Sequence, residues 1–403
     1  MAGEVRRMKL HRLDLMKLIA GRLKAVNAAD DGNVRDLFSY HPNRLAAALH
    51  PHCQFLTVKK VIEHSPDMKS FILAPDKTRG TNALAWFSAG QYLTVCVQVG
   101  DKRYCRPYSI ASAPADTLSG EYRLTVKRVE NGIVSNFILD HWTVGAKTAA
   151  SAPLGDFTYE PLRDAKTVVG IAGGSGITPF RSLACAIRNG DEDCSLILLY
   201  GSRTLADAVF SDEIAAIAEA CPKVKLVNVL SEEKKKGCEN GFITAKLIKK
   251  YAPQDAPYSL FLCGPQAMYR FVDKEIETLG IRRKFVRHEL FGEYFAPAQN
   301  ADYPADVKES YKVRVHMADK EYVIQCPADT SLLRAMEAAG IDAPSDCRSG
   351  RCGWCHSQLI YGQVYVPESV DGRRLADKDY GYIHPCVSFP LSDLAIDVPK
   401  VGY

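Results

Sequence analysis

The stretch Cys347-Arg-Ser-Gly-Arg-Cys352-Gly-Trp-Cys355, followed after thirty intervening residues by Cys386, spaces four cysteines as C-x4-C-x2-C and a distant fourth. Four thiolates at that spacing hold a plant-type 2Fe–2S cluster. Gly350 and Gly353 lie between the ligands, where a chain wrapping a cluster needs positive φ and backbone N–H groups close to sulfur. Structural zinc usually takes its ligands as two short-spaced pairs, and only Cys352 and Cys355 form one here. A set of merely buried thiols has no reason to repeat the spacing. The expectation is one-electron chemistry. The residues before the loop read as strands near Tyr311–Met317 and Glu321–Gln325 and a helix near Ser331–Ala339.

Upstream, residues 161–290 alternate buried strands (Thr167–Ile171, Leu196–Tyr200, Ser259–Leu262) with helical stretches (Thr178–Arg188, Asp212–Ala220), the βαβ rhythm of a parallel sheet. Residues 54–160 read differently. Short alternating strands at Phe55–Ile62, Ser70–Leu73, Tyr92–Val99 and Tyr122–Val129, broken by Gly, Pro, Asp and Asn, suggest a small antiparallel barrel. Residues 296–308 have the composition of a linker. Near the start, Leu10, Leu13, Met16, Ile19, Leu23 and Val26 recur at helical spacing opposite Arg12, Lys17, Arg22 and Lys24, so an amphipathic helix is expected there. The expected division is a helical extension over 1–53, a barrel over 54–160, an α/β parallel-sheet domain over 161–295, a linker over 296–308 and an α+β domain over 309–403.

The 403 residues suffice for several cores, and 47% hydrophobic with 24% charged residues is ordinary for a globular chain. Nine further cysteines show no pairing rhythm, and no secretory signal stands out. Together these predict free thiols and a cytoplasmic protein. Residues 1–50 hold nine Lys/Arg and five Asp/Glu, which accounts for the whole net charge of +4. The remaining chain is formally neutral, so nothing predicts a nucleic-acid partner. No apolar run approaches the length of a membrane-spanning helix, so no integral membrane segment is expected.

Three groups of motifs carry the remaining chemistry. Arg106-Pro-Tyr-Ser109, expected to follow a strand, and Gly132-Ile-Val-Ser135 come after Phe87-Ser-Ala-Gly-Gln-Tyr92 in the barrel region. A guanidinium can pair bidentately with a phosphate, a phenol can stack on a flat ring, and a serine hydroxyl can offer a hydrogen bond. A helix beginning near Ser135 offers free N–H groups to phosphates. Gly173-Gly-Ser-Gly-Ile-Thr-Pro179 follows a strand and opens a helix, as a pyrophosphate-binding turn requires, although it is not the G-x-G-x-x-G fingerprint. Cys263-Gly-Pro-Gln-Ala-Met268 and His288-Glu-Leu-Phe291 end later strands.

In this order the motifs resemble the ferredoxin–NADP⁺ reductase superfamily, across residues 54–403. The sequence of flavin, nucleotide and ferredoxin regions is similar to the reductase components of bacterial oxygenases and to the reductase of the hybrid-cluster protein. The resemblance implies an FAD-binding barrel, an NAD(P)-binding domain and a ferredoxin-like β-grasp domain, with FMN as the alternative flavin. It implies flavin contacts from Arg106, Tyr108, Ser109, Val126, Lys127, Gly132, Val134, Ser135 and Phe291. It implies nucleotide contacts from Gly173, Gly174, Gly176, Thr178, Ser202, Arg203, Cys263, Gly264 and Pro265. Ser109, Cys263 and Glu289 are the expected catalytic residues, and Cys347, Cys352, Cys355 and Cys386 the cluster ligands. A nicotinamide nucleotide delivers two electrons together, whereas the cluster accepts one, so a flavin must stand between them.

The expected function is an NAD(P)H-dependent reductase feeding a soluble electron-acceptor metalloprotein, an oxygenase first among them. Alternatives are a stand-alone reductase of quinones, ferric chelates or nitro compounds, and a redox sensor, which would have no need of a hydride site. The nucleotide is left open by Gly201-Ser-Arg-Thr204. That turn lacks the acidic residue that binds a ribose 2′-hydroxyl, and Ser202 and Arg203 suit a 2′-phosphate. Similar Gly-x-Arg turns in NADH-using relatives tip the expectation to NADH.

Overall fold

The computed structural model describes residues 40–290 and 292–400. The amphipathic helix expected over 9–27 and Phe291 lie outside them. Among the described residues, 40–47 fall in one unit and those from 48 onward in a second. The described start of the chain is a helix, His41–Leu49, with no buried residue.

The first sheet is antiparallel and contains β1 (Gln54–Ser65), β2 (Met68–Pro75), β3 (Tyr92–Val99), β4 (Lys102–Ser109), β5 (Tyr122–Lys127) and β6 (Lys147–Ala150), in the order β4-β3-β6-β1-β2-β5. It curls until its two edges meet through a bridge between Ile110 and Leu124. Alternation along each strand turns Leu56, Val58, Phe71, Leu73, Leu93 and Val95 into one core. Arg106-Pro-Tyr-Ser109 does not follow a strand, as the sequence suggested, but forms the end of β4. Pro107 is tolerated within β4 because this is an edge strand of the sheet.

Cys96 on β3 lies opposite Cys105 on β4, and the two form a disulfide. The expectation that all nine cysteines outside the cluster motif are free thiols is therefore corrected at this pair. Cross-strand register, which brings the two together, is invisible in sequence spacing.

The second sheet is parallel: β7 (Thr167–Gly173), β8 (Ser195–Ser202), β9 (Val224–Leu230), β10 (Glu239–Asn240), β11 (Tyr258–Cys263) and β12 (Val286–Glu289), in the order β10-β9-β8-β7-β11-β12. The order runs outward from β7 in one direction and from β11 in the other. The crevice between their carboxyl ends is the switch point at which open α/β sheets bind ligands.

Two ion clusters, the second of them buried, tie this sheet to the barrel. Arg123 of β5 pairs bidentately with Glu213 at 3.1 and 3.1 Å, and Arg181 reaches the same carboxylate at 2.9 Å. Arg287 of β12 pairs with Asp164 at 3.1 and 2.6 Å and donates to the carbonyls of Asp156 and Thr158.

The last region has a mixed sheet of β13 (Ser310–Met317), β14 (Lys320–Pro327), β15 (Ser357–Tyr361), β17 (Tyr382–Ile383) and β19 (Leu394–Asp397), with a short β16 (Val364–Tyr365) and β18 (Phe389–Pro390) pair. Parallel pairing of β13 with β19 places the helix Leu332–Ala338 over the core built on Val313, Val315, Leu333 and Ile396. Among the described residues no helix is long and apolar enough to cross a membrane.

Candidate functional site

The four cysteines are brought together in two pairs. The sulfurs of Cys355 and Cys386 lie 3.4 Å apart, and the Cys352 thiol hydrogen-bonds Cys347. Cys347, Cys355 and Cys386 are buried, while Cys352 is exposed. Backbone N–H groups of Ser349 and Cys352 donate to Cys347 at 3.4 and 3.3 Å, and Trp354 N–H donates to Cys352 at 3.4 Å. Gly350 has φ +79°, and a Cβ there would lie 2.2 Å from the Val370 carbonyl oxygen, so only glycine closes the loop. Among the described residues no group of three or more His, Cys, Asp or Glu is placed to hold a single metal ion. Two thiol pairs with N–H groups directed at sulfur fit a two-iron cluster, in which each iron takes two thiolates.

At the switch point the two glycine-containing turns touch. Cys263, the last residue of β11, pairs in register with Ala172 of β7 and Glu289 of β12. A Cβ on Gly176 would come within 2.0 Å of the Cys263 carbonyl oxygen. This close approach is the physical reason for a glycine there. A cavity of about 620 Å³ opens beside the turns. Gly173, Gly174, Ser202, Arg203 and Pro265 line it, as does Lys127 from the barrel. Gly176 and Thr178 are buried behind the turn.

Three further residues of this wall escaped the sequence reading: Asp207, Phe242 and Phe271. Phe242 is 69% exposed and Phe271 39%, an apolar signal that no local pattern distinguishes from ordinary surface. Asp207 pairs with Arg203 at 3.6 Å. Its carboxyl is held below its ordinary range, first by the Thr204 hydroxyl.

A larger cavity of about 1160 Å³ lies on the other side of the Gly264–Pro265 turn. Its walls include Phe157, Leu290, Glu293 and two residues of the cysteine loop, Ser349 and Arg351. Glu289 is 7% exposed. Burial, with Asp156 behind it, pushes its carboxyl well above the carboxylate range; Arg351 opposes the shift and Cys347 adds to it. Burial, and then the Glu289 charge, likewise pushes the Cys263 thiol up.

The folded state thus keeps a proton on Glu289 to higher pH than the unfolded chain, whose carboxyl titrates near about 4.3. Stability contributed by this group falls as pH rises above that value toward the folded one. Glu289→Gln is expected to raise the melting temperature, by an increment that widens between about pH 5 and pH 7. Thermal scans at several pH values check this, and an increment independent of pH would refute it.

Among the expected flavin contacts, Ser109 is buried opposite Tyr92 of β3, and Tyr108 is half-buried with its phenol pushed up by burial. Val126 is buried and Lys127 exposed at the end of β5. Gly132 is the N-cap of the helix Ile133–His141, two residues earlier than the sequence suggested, with Val134 and Ser135 buried in its first turn. Arg106 does not face an open pocket. Its guanidinium meets Glu337 at 3.1 and 3.3 Å and Glu293 at 3.3 Å.

The family model for an oxidoreductase FAD-binding domain matches residues 55–159, that for an oxidoreductase NAD-binding domain residues 171–274, and that for a 2Fe-2S iron-sulfur cluster binding domain residues 315–391. The chain is 30% identical to the ferredoxin reductase component of 3-ketosteroid-9-alpha-monooxygenase from Rhodococcus rhodochrous, over 84% of this chain and 94% of the relative. The chain belongs to the ferredoxin–NADP⁺ reductase superfamily. It is also 26% identical to the glycine betaine monooxygenase reductase subunit of Chromohalobacter salexigens, over 84% of this chain and 93% of the relative. Among solved structures, phthalate dioxygenase reductase superposes with a TM-score of 0.61 at 26% identity, covering 86% of this chain and 98% of that one.

As a member of this superfamily the protein is an NAD(P)H oxidoreductase with FAD and a 2Fe–2S cluster. When bound, these groups supply hydride acceptance and one-electron transfer. The residues described above supply anchoring, orientation and shielding.

Proposed function

We propose that this reductase passes electrons from a nicotinamide nucleotide, through its flavin and cluster, to a separate oxygenase. The carrying observation is the 1160 Å³ cavity that runs from the Gly264–Pro265 turn to Ser349 and Arg351 of the cysteine loop. It sets the nucleotide end and the cluster end of the path on the walls of one space. The relatives named as oxygenase reductase components support the choice of acceptor. In this reading Gly173, Gly174, Ser202 and Arg203 bind the nucleotide, and Cys263 and Pro265 lie against the nicotinamide. Ser109 hydrogen-bonds the flavin ring and Tyr108 stacks on it, while Glu289 contributes a protonated carboxyl nearby. Cys347, Cys352, Cys355 and Cys386 hold the cluster. The functional division is 54–160 for flavin, 161–295 for nucleotide and 309–403 for the cluster, joined by 296–308.

The test is anaerobic rapid mixing of the holoprotein with NADH. Flavin bleaching should precede cluster bleaching, and a purified oxygenase from the same genome should then reoxidise the cluster. A cluster left reduced by every oxygenase, but reoxidised by quinones or ferric chelates, would overturn the choice of acceptor.

NADH is the preferred nucleotide in this reading. Arg203 is the residue suited to a 2′-phosphate, but Asp207 already holds it. A phosphate would have to displace a carboxylate and then sit beside it, which is electrostatically unfavourable. The expected kcat/KM is higher for NADH. Asp207→Asn should raise the value for NADPH, and Arg203→Ala should lower it roughly tenfold, the worth of one charge-assisted hydrogen bond. Both should leave NADH within about threefold. If neither change alters the NADPH value, this turn is not at the 2′ position.

A further inference from the structure

Three guanidinium groups meet two carboxylates between the barrel and the cysteine loop. Arg348 immediately follows the ligand Cys347, and its side chain is fully buried. It meets Glu337 through both terminal nitrogens, at 2.7 and 2.8 Å, and Glu293 through Nε at 3.1 Å and through Nη2. The same two carboxylates hold Arg106 of β4. Arg334 adds a contact to Glu293 at 3.0 Å from a more exposed position. The side chains of Glu293 and Glu337 are 8% and 11% exposed. Their elements are otherwise separate: Glu293 follows β12, and Glu337 lies on the helix over the β13–β19 core.

Arg348 has φ +57°. For a side chain of that size the conformation is strained, and it persists only where the surroundings over-determine it. The two carboxylates supply that constraint. They fix the backbone next to Cys347, and through Arg106 they fix it relative to the strand that carries Tyr108 and Ser109. Charge bears on the point as well. Three positive groups against two negative ones leave one positive charge uncompensated, so neither carboxylate lacks a cationic partner.

We propose that Glu293 and Glu337 are positioning residues that set the spacing between the flavin site and the iron–sulfur cluster, each gripping Arg106 on one side and Arg348 on the other. The inference rests on the assignment of flavin to the barrel and cluster to the four cysteines. Neither carboxylate lines the 620 Å³ cavity at the glycine turns, where the nucleotide is assigned. Their loss should therefore leave hydride transfer alone and slow the step after it.

The test uses full-length holoprotein carrying Glu293→Gln and Glu337→Gln together, and Lys102→Ala as a control. Lys102 joins the same two regions through an exposed bond to the Ala338 carbonyl at 2.8 Å, outside the ion cluster. Flavin and iron contents, the visible circular dichroism of the cluster, and the separate rates of flavin and cluster reduction are measured by rapid mixing with NADH. The expected result for the double variant is full flavin and iron content and flavin reduction within about twofold. Cluster reduction should be slowed by at least about tenfold, the scale at which small displacements cost rate. The dichroism should change, because the loop backbone shifts. Lys102→Ala should alter none of these, and Glu337→Asp, which keeps the charge, should be milder than Glu337→Gln.

Cluster reduction at the parent rate would overturn the proposal. So would a loss of rate that only tracks lost iron, which indicates a folding role, or an equal effect in Lys102→Ala. Failure of the underlying assignment shows itself elsewhere, as iron retained after a ligand cysteine is replaced.

Discussion

Cys352→Ser removes the iron and leaves the flavin, the fold and the hydride step in place. Cys352 is the exposed member of the four, so its replacement opens no cavity in the core, whereas the other three thiols are buried. Its loss breaks the Cys347–Cys352 pair, and a serine hydroxyl, not ionised at neutral pH, is a poor substitute for a soft thiolate. The 620 Å³ cavity and the barrel share no residue with this pair. Flavin reduction by NADH should therefore stay within about twofold of the parent, while NADH-driven turnover of an oxygenase falls by more than about a hundredfold. Iron and flavin per chain, together with rapid-mixing traces, are the measurements. Retained iron, or simultaneous loss of flavin reduction, would show that the path is not modular.

Arg287→Ala should be the most destabilising single change away from the cluster. The Arg287 and Asp164 side chains are 5% and 0% exposed. Arg287 also donates to the carbonyls of Asp156 and Thr158 at 2.7 and 2.6 Å. Truncation leaves two carbonyls without this donor and a buried carboxylate with no cation, held only by the Glu160 N–H at 2.8 Å. Removing one partner of such a pair costs about 3–5 kcal/mol, far more than the net worth of the intact pair. The unfolding midpoint should drop by roughly 10 °C. Adding Asp164→Ala should recover part of the loss, since the stranded charge goes with it. A midpoint unchanged within a degree or two would mean that the site rehydrates on truncation. The damage should also reach Glu289, because Arg287 shares its short strand and anchors the segment Asp156–Thr158 beside it.

Much of the architecture is legible along the chain because it depends on local periodicity. Alternation in Phe55–Ile62 and the apolar run Leu196–Tyr200 report their own burial, and each became a strand of the expected sheet type. The four cysteines and the glycine turns at 173–176 and 264–265 are legible for a different reason. Metal ligation and close backbone approach admit few residue types at each position, so the chemistry is written in spacing.

Other features depend on which elements meet, and local sequence does not encode that. The Cys96–Cys105 disulfide follows from strand register. Asp207 meets Arg203 because the turn after β8 brings the two side chains together. Arg106 was readable as a phosphate anchor, yet its partners Glu293 and Glu337 come from a loop and a helix far along the chain. Charged residues are common on any surface. Only the tertiary packing, by excluding water from these few, turns them from solvated side chains into a buried junction between β4 and the cysteine loop.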